Sequence, residues 1–309
     1  MLLHQCRRLV IHCRHRVIPL VVFNPILVKI MAMKFIEVED GTQLYYKDWG
    51  KGHPVIFVHG WSINCDSWEY LMNRLSDAGF RCIAYDQRGC GRSSAAWDGY
   101  NYETLADDLA TLIRKLHVEK MTLIGHSMGT GVIMQYLYDY GESNVANVTL
   151  IAPTTPFAAQ IFDTPMGNDT GYIQKNLFEQ IKTDRAAYVR ALADSFFGLG
   201  QPGNTVSTAM VDWATFITLQ ASSRACLQMI DTYLNTDQHD IMKKIKSRVL
   251  ILHGGKDVNS PIAFTAQPSA ALLQNSRLIV HPQHTHGSYI YHAVELAPDI
   301  IDFIKEGMK

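Results

Sequence analysis

Strand-like and helix-like segments alternate along this chain, which predicts an α/β fold with a mostly parallel central sheet and helices on both faces. Three observations carry that prediction. Largely apolar runs of strand length recur at residues 55–58, 81–85, 121–124, 145–152 and 249–252, as expected of strands buried on both faces. Between them lie segments of helical period, clearest in Leu105, Leu109, Leu112, Ile113 and Leu116. The alternation stops once, at residues 155–240, where aromatic-rich helical stretches occur without a convincing strand. Alternating units build parallel sheets, and such sheets bind ligands at the carboxyl ends of their strands. A helical insert leaving that edge is expected to lie over the site as a cap.

The elements can be justified in order. Residues 35–38 and 43–49 flank Glu39-Asp40-Gly41-Thr42, whose Asp-Gly pair signals a hairpin turn. The apolar strand 55–58 ends in His59-Gly60-Trp61-Ser62. A helix is expected next, with Asp66 as N-cap and Glu69 completing a capping box. Strand 81–85 closes at Asp86-Gln87-Arg88-Gly89-Cys90-Gly91-Arg92-Ser93, and the periodic helix through Leu116 follows. Strand 121–124 runs into Gly125-His126-Ser127-Met128-Gly129, after which Val132, Ile133, Tyr136 and Leu137 share one helix face. Pro153 stops strand 145–152. After the insert come strand 249–252, a helix near 262–273, strand 278–280 and a final helix from about 289 to 306. The expected organisation is an extension over 1–33, a core of 34–154 and 241–309, and a helical cap of 155–240 inserted after the sixth strand.

Composition narrows the function. A net charge of −1 leaves no broad basic footprint for nucleic acid. Six cysteines without a C-x-x-C pair or regular spacing fit reduced thiols in a cytoplasmic protein better than a disulfide framework. Arg7, Arg8, Arg14, Arg16 and Lys29 precede the first acidic residue, Glu37, so the extension also fits an organellar targeting segment or a disordered leader. Its apolar run, 17–28, is interrupted by Pro19 and Pro25 and is too short for a stable membrane span.

The chemistry centres on Gly125-His126-Ser127-Met128-Gly129. Gly-x-Ser-x-Gly between a strand and a helix is the pattern of a nucleophile elbow, in which a sharp turn projects the serine hydroxyl and needs small flanking residues. A serine hydroxyl is a weak nucleophile at neutral pH, so a base oriented by a carboxylate must follow, in the order Ser, Asp or Glu, His. Asp257 leaves the carboxyl end of strand 249–252 and is the candidate acid, with a simple Asx-turn as its structural alternative. The aspartates of the insert read as solvated charges. His286, just before Gly287 and the final helix, is the candidate base among His281, His284, His286 and His292. His281-x-x-His284-x-His286 could ligate a metal, but no carboxylate or thiolate partner stands nearby in sequence, so no metal is expected. An oxyanion needs two donors: the backbone N–H of Met128, and that of Trp61 in the loop after strand 55–58. His59 and His126 read as scaffold histidines. Gly89-Cys90-Gly91 lacks the third glycine of a dinucleotide fingerprint and reads as a tight turn. Cys65 and Cys90 lack a motif-level base.

These stretches resemble the α/β-hydrolase superfamily from about Lys34 to Ile304, and within it the cofactor-free haloperoxidase-like esterases, the arylesterase and perhydrolase branch. The resemblance rests on Asp40 to Gly50, His59-Gly60-Trp61, Asp86 to Ser94, the elbow, His286-Gly287, and Phe197-Gly198 with Pro202-Gly203. It implies a Ser127–Asp257–His286 triad, an oxyanion hole of Trp61 and Met128, and no metal or organic cofactor. Two positions depart from the branch. Ser62 stands where proline commonly follows the tryptophan, which tilts the expected chemistry from peroxide toward water. Thr130 replaces a glycine after Ser-Met-Gly.

The expected activity is hydrolysis of a small carboxylic ester or lactone through an acyl-enzyme, the aromatic insert favouring an apolar acyl or aryl group. Peroxide-dependent acyl transfer and a non-catalytic small-ligand receptor are the alternatives.

Overall fold

The computed structural model describes residues 8–13, 16–21, 34–159 and 170–308. Contacts divide the chain into Met1–Lys34 and Phe35–Lys309. In the first unit β1 (Arg8–Cys13) pairs antiparallel with β2 (Arg16–Val21). The extension expected over 1–33 otherwise lies outside the described residues.

The second unit holds an eight-stranded sheet. Its strands are β3 (Phe35–Glu37), β4 (Gln43–Gly50), β5 (Pro54–Val58), β6 (Arg81–Tyr85), β7 (Met121–His126), β8 (Val145–Ile151), β9 (Val249–Gly254) and β10 (Ser276–His281). They lie in the order β10-β9-β8-β7-β5-β6-β4-β3. β3 and β4 form the expected hairpin, with Gly41 at φ +84° in its turn, and β4 joins β6 antiparallel. From β6 across to β10 every pairing is parallel. β5 has β6 on one side and β7 on the other, so the chain leaves β5 and β7 at a topological switch, where open sheets form ligand crevices.

Side-chain alternation feeds two cores. Ile56 and Val58 of β5, Leu123 of β7 and Ile251 of β9 point into one. Val55, Phe57, Ile124, Leu250 and Leu252 point into the other. The first core is covered by helices α2 (Tyr102–Lys115) and α3 (Met128–Tyr140), the second by α1 (Glu69–Asp77) and α10 (Ala293–Gly307). Each fully buried aliphatic side chain contributes about 1.5–3 kcal/mol, so runs such as Pro54–Val58, apolar on both faces, are driven to the middle of the sheet.

After β8 the chain is helical: α4 (Thr170–Phe197), α5 (Thr208–Leu219), α6 (Ser223–Asn235) and the short α7 (His239–Met242) precede β9. α4 bends at Asp184 (φ −149°, ψ 80°), whose carboxylate accepts from Ala187 N at 2.9 Å and caps the second segment. Ser207 and Ser222 cap α5 and α6 by accepting from Met210 N (3.2 Å) and Ala225 N (3.0 Å). Helix α8 (Ala266–Leu272) precedes β10, and α9 (Ser288–Tyr291) is set off from α10 by His292.

One local expectation is corrected. Asp66 is not the N-cap before α1. The chain first makes a 3-10 turn (Cys65–Trp68) capped by Asn64, which accepts from Asp66 N at 3.0 Å, and Trp68 stands at the N-cap of α1 without a side-chain bond. The Asp66 carboxylate instead meets Lys47 and, at 2.6 Å, Arg92. Cations brought in by the sheet outcompete a local capping bond, and the sequence spacing of a capping box cannot show them.

Candidate active site

Ser127 lies at the apex between β7 and α3 with φ +51° and ψ −126°, a backbone conformation that L-residues rarely adopt. Its neighbours leave no room for larger side chains. A Cβ on Gly129 would come within 2.4 Å of Val58 O and 2.5 Å of His59 O. One on Gly60 would come within 2.9 Å of Ser127 Cβ. The loop after β5 therefore presses directly on the serine turn, as the small residue required at Gly129 anticipates, while a Cβ on Gly125 would come within 2.8 Å of the Ile133 side chain. Thr130 fits without crowding: it is fully buried, and its hydroxyl donates to Ser127 O at 2.6 Å, tying down the turn.

Asp257 sits in the loop after β9, buried, and uses both carboxylate oxygens. Oδ1 accepts from Asn259 N (2.9 Å) and Ser260 N (2.8 Å), while Oδ2 accepts from His286 Nδ1 at 2.8 Å. It thus makes the Asx-type turn and also holds the imidazole. The loop is braced from β10's side: Gly255 N donates to His281 O and Lys256 N to His284 O, both at 2.9 Å. His286 is held from below, since His126 Nε2 bonds His286 O at 3.1 Å. Ser127 and His286 line one cavity, although no hydrogen bond joins the Ser127 hydroxyl to the ring directly. Catalytic contacts of this kind often tighten only around substrate.

Met128 begins α3 just after Ser127, and Trp61 lines the cavity at the end of the β5 loop. The Trp61 indole N–H donates to Cys226 O in α6 at 3.0 Å, and its ring meets Tyr188 of α4 edge-on, with centroids 6.1 Å apart. Ser62, the next residue, has φ +50°.

The cavity has a volume of about 420 Å³, within the range of small-molecule sites. Leu177, Leu192 and Phe196 of α4, Ala214 of α5 and Ile230 of α6 give it apolar walls. Thr154, Ser260 and Asn259 interrupt those walls, and Thr154 Oγ1, Ser260 Oγ and Asn259 Oδ1 are buried with no hydrogen-bond partner among the described residues. Sequence reasoning missed these three residues together with Tyr188 and Tyr233, because the cavity gathers them from widely separated segments. Tyr188's phenol is pushed up to about 12 by burial.

His59 behaves as a scaffold residue. Its Nε2 accepts from Gln87 N at 2.9 Å, and the Gln87 side chain donates to His59 O at 2.7 Å. Gly91 (φ +53°) turns tightly around Asp86, which accepts from Cys65 N and Arg92 N at 2.8 Å each. Cys65 and Cys90 are buried, and burial pushes both thiols well above their ordinary range.

The buried histidines contribute to the acid limb of stability. Burial lowers the pKa of His59, His126 and His253 from the ordinary 6.5. For His253 this holds against the pull of Asp257, 3.8 Å away. A depressed folded-state value means that the unfolded chain takes up protons that the folded chain refuses. This stabilisation is therefore complete above about pH 6.5 and is lost as pH falls from there toward the folded values. Urea midpoints measured at successive pH values should decline below that point, and a midpoint that rose on acidification would contradict the assignment.

A family described as the alpha/beta hydrolase fold matches residues 53–293. A non-heme chloroperoxidase of Kitasatospora aureofaciens is 32% identical over 259 residues, covering 82% of this chain and 92% of that protein. A bifunctional esterase/perhydrolase of Acinetobacter calcoaceticus is 33% identical over 281 residues, covering 88% of this chain and all (100%) of that one. Among solved structures, an esterase from Exiguobacterium antarcticum superposes with a TM-score of 0.81 at 32% identity, covering 89% of this chain and 100% of that chain. A bromoperoxidase from Bacillus anthracis gives 0.82 at 29%, with the same coverage. Sheet order, elbow and relatives agree: this chain belongs to the α/β-hydrolase family, in the branch of the non-heme haloperoxidase-like esterases.

Proposed function

We propose that this protein hydrolyses carboxylic esters or lactones with Ser127 as nucleophile, His286 as general base and Asp257 as its orienting carboxylate. The observation that carries the reading is the pairing of a strained, cavity-facing Ser127 with a histidine whose Nδ1 is held at 2.8 Å by a buried carboxylate. With Nδ1 donating to Asp257, Nε2 is the nitrogen free to take the Ser127 proton as Oγ attacks the carbonyl. The N–H groups of Met128 and Trp61 stabilise the oxyanion. Collapse of the tetrahedral intermediate expels the alcohol, which His286 protonates, and water activated by the same nitrogen releases the acid.

The segment 155–240 serves as the cap. Its helices supply most of the apolar wall, which favours an acyl or aryl group of modest size. The hydroxyl oxygens of Thr154 and Ser260, without a partner among the described residues, favour a substrate with one hydrogen-bonding group away from the scissile bond. A fluorophosphonate should label the chain once, on the peptide containing Ser127, and label mapped to any other residue removes the assignment.

Acyl transfer to peroxide is the second reading, favoured by relatives named as perhydrolase and chloroperoxidase. Ser62 argues for water instead. Its φ of +50° is closed to proline, whose ring fixes φ near −65°, so the loop beside Trp61 follows a course that a proline there would exclude. Ser62→Pro should force that loop to move and lower stability by about 1–3 kcal/mol, read as a drop in the urea midpoint. An unchanged midpoint would show that the loop is indifferent to this backbone.

A further inference from the structure

Three imidazoles stack beside the segment that carries His286. The rings of His281 and His284 lie 4.5 Å apart at 11°, and those of His284 and His292 4.4 Å apart at 9°. Carboxylates from α10 close the group. Glu295 Oε2 is 2.7 Å from His284 Nε2, and its Oε1 is 2.8 Å from His292 Nδ1. Asp299, one turn further along α10, is 2.9 Å from His281 Nε2. The sequence argued against a metal at His281-x-x-His284-x-His286 for want of a nearby carboxylate. Folding supplies that carboxylate from α10 and takes His286 away to Asp257.

We propose that His284, His292 and Glu295 bind one divalent transition-metal ion of the zinc class, at a site separate from the cavity. Their ligand atoms all lie within 4.8 Å of one another. Two imidazoles and one carboxylate suit zinc, cobalt or nickel, whereas magnesium and calcium take oxygen ligands. Tetrahedral bonds of about 2.0–2.1 Å put ligand atoms roughly 3.3 Å apart. The 2.7 and 2.8 Å His–Glu separations need to open by about half an ångström, and the two imidazole nitrogens, within 4.8 Å of each other on nearly parallel rings, have to converge as His292 turns out of the stack. Glu295 can supply the first movement, because its side chain is 55% exposed, and the part-exposed His292, at 22%, the second. The buried His284 forms the inner wall, and the exposed side leaves a position for water.

The ion would fasten the segment after β10 to α10. That segment also braces the Asp257 loop through Lys256 N to His284 O. The predicted consequence is a more stable fold with metal than without, since an ion that binds only the folded state stabilises it.

The full-length protein, stripped with chelator, should take up Zn2+ by calorimetry and Co2+ with visible d–d absorption, and its Tm should rise. The exposed-side variants Glu295→Gln and His292→Ala should each lose one equivalent, or bind at least about 10-fold more weakly, and should lose the metal-induced rise in Tm. Either variant suffices if the other does not fold. Unchanged stoichiometry and affinity in a folded variant, or no uptake by the wild type, overturns the site.

Discussion

Ser127→Ala should abolish turnover of p-nitrophenyl acetate, lowering kcat by about 10⁵–10⁶-fold, and should eliminate fluorophosphonate labelling. The size follows from the chemistry. Without Oγ no acyl-enzyme forms, and what remains is attack by water aided only by oxyanion donors and binding, roughly 10³–10⁴ above the uncatalysed rate. Stability separates loss of the nucleophile from loss of the fold. Alanine keeps a Cβ at φ +51°, so its Tm should match the wild type. Ser127→Gly should be equally inactive yet more stable, because glycine relieves strain of about 1–3 kcal/mol at such a position. Residual activity within a hundredfold of wild type in either variant would show that the nucleophile lies elsewhere.

Asp257→Asn should be almost as severe, with kcat down by about 10⁴ and the fold retained. Two backbone donors decide the outcome. Asn259 N and Ser260 N donate to Oδ1, so the oxygen of an introduced amide must stay there and its NH₂ must point at His286 Nδ1. A donor facing Nδ1 makes that nitrogen an acceptor and moves the ring proton to Nε2, which can then no longer take a proton from Ser127. Because the cavity walls are unaffected, KM should change far less than kcat. A kcat within tenfold of wild type would mean that His286 needs no carboxylate.

Both predictions rest on residues the sequence made visible, and the reason is locality. The elbow at 125–129 is five consecutive residues whose sizes are dictated by one turn. Asp257 follows directly from a strand that advertises itself by being apolar on both faces. What stayed hidden depends on distant segments meeting. Asp66 looked like a cap because Lys47 and Arg92, its real partners, come from other strands and loops. Thr154 and Ser260 carry no motif in the sequence, and only the fold brings their hydroxyls, unpartnered among the described residues, to one cavity. The histidine stack lacked its carboxylates until α10 supplied them. The positive φ of Ser62 has no signature in a residue type that usually avoids it.

The tie between Trp61 and α6 bears on how such a protein can change its diet. The indole N–H grips Cys226 O, while the backbone of the same residue is the proposed second oxyanion donor. One tryptophan thus joins the cavity wall to the group proposed to stabilise the transition state. On the proposed mechanism, widening the chamber by shifting α6 would pull on the loop that carries Trp61, so breadth of substrate range and speed of acyl transfer would not be independent variables. Lineages that diversify this scaffold without slowing it must either move other walls, such as α4 or α5, or cut this one bond first.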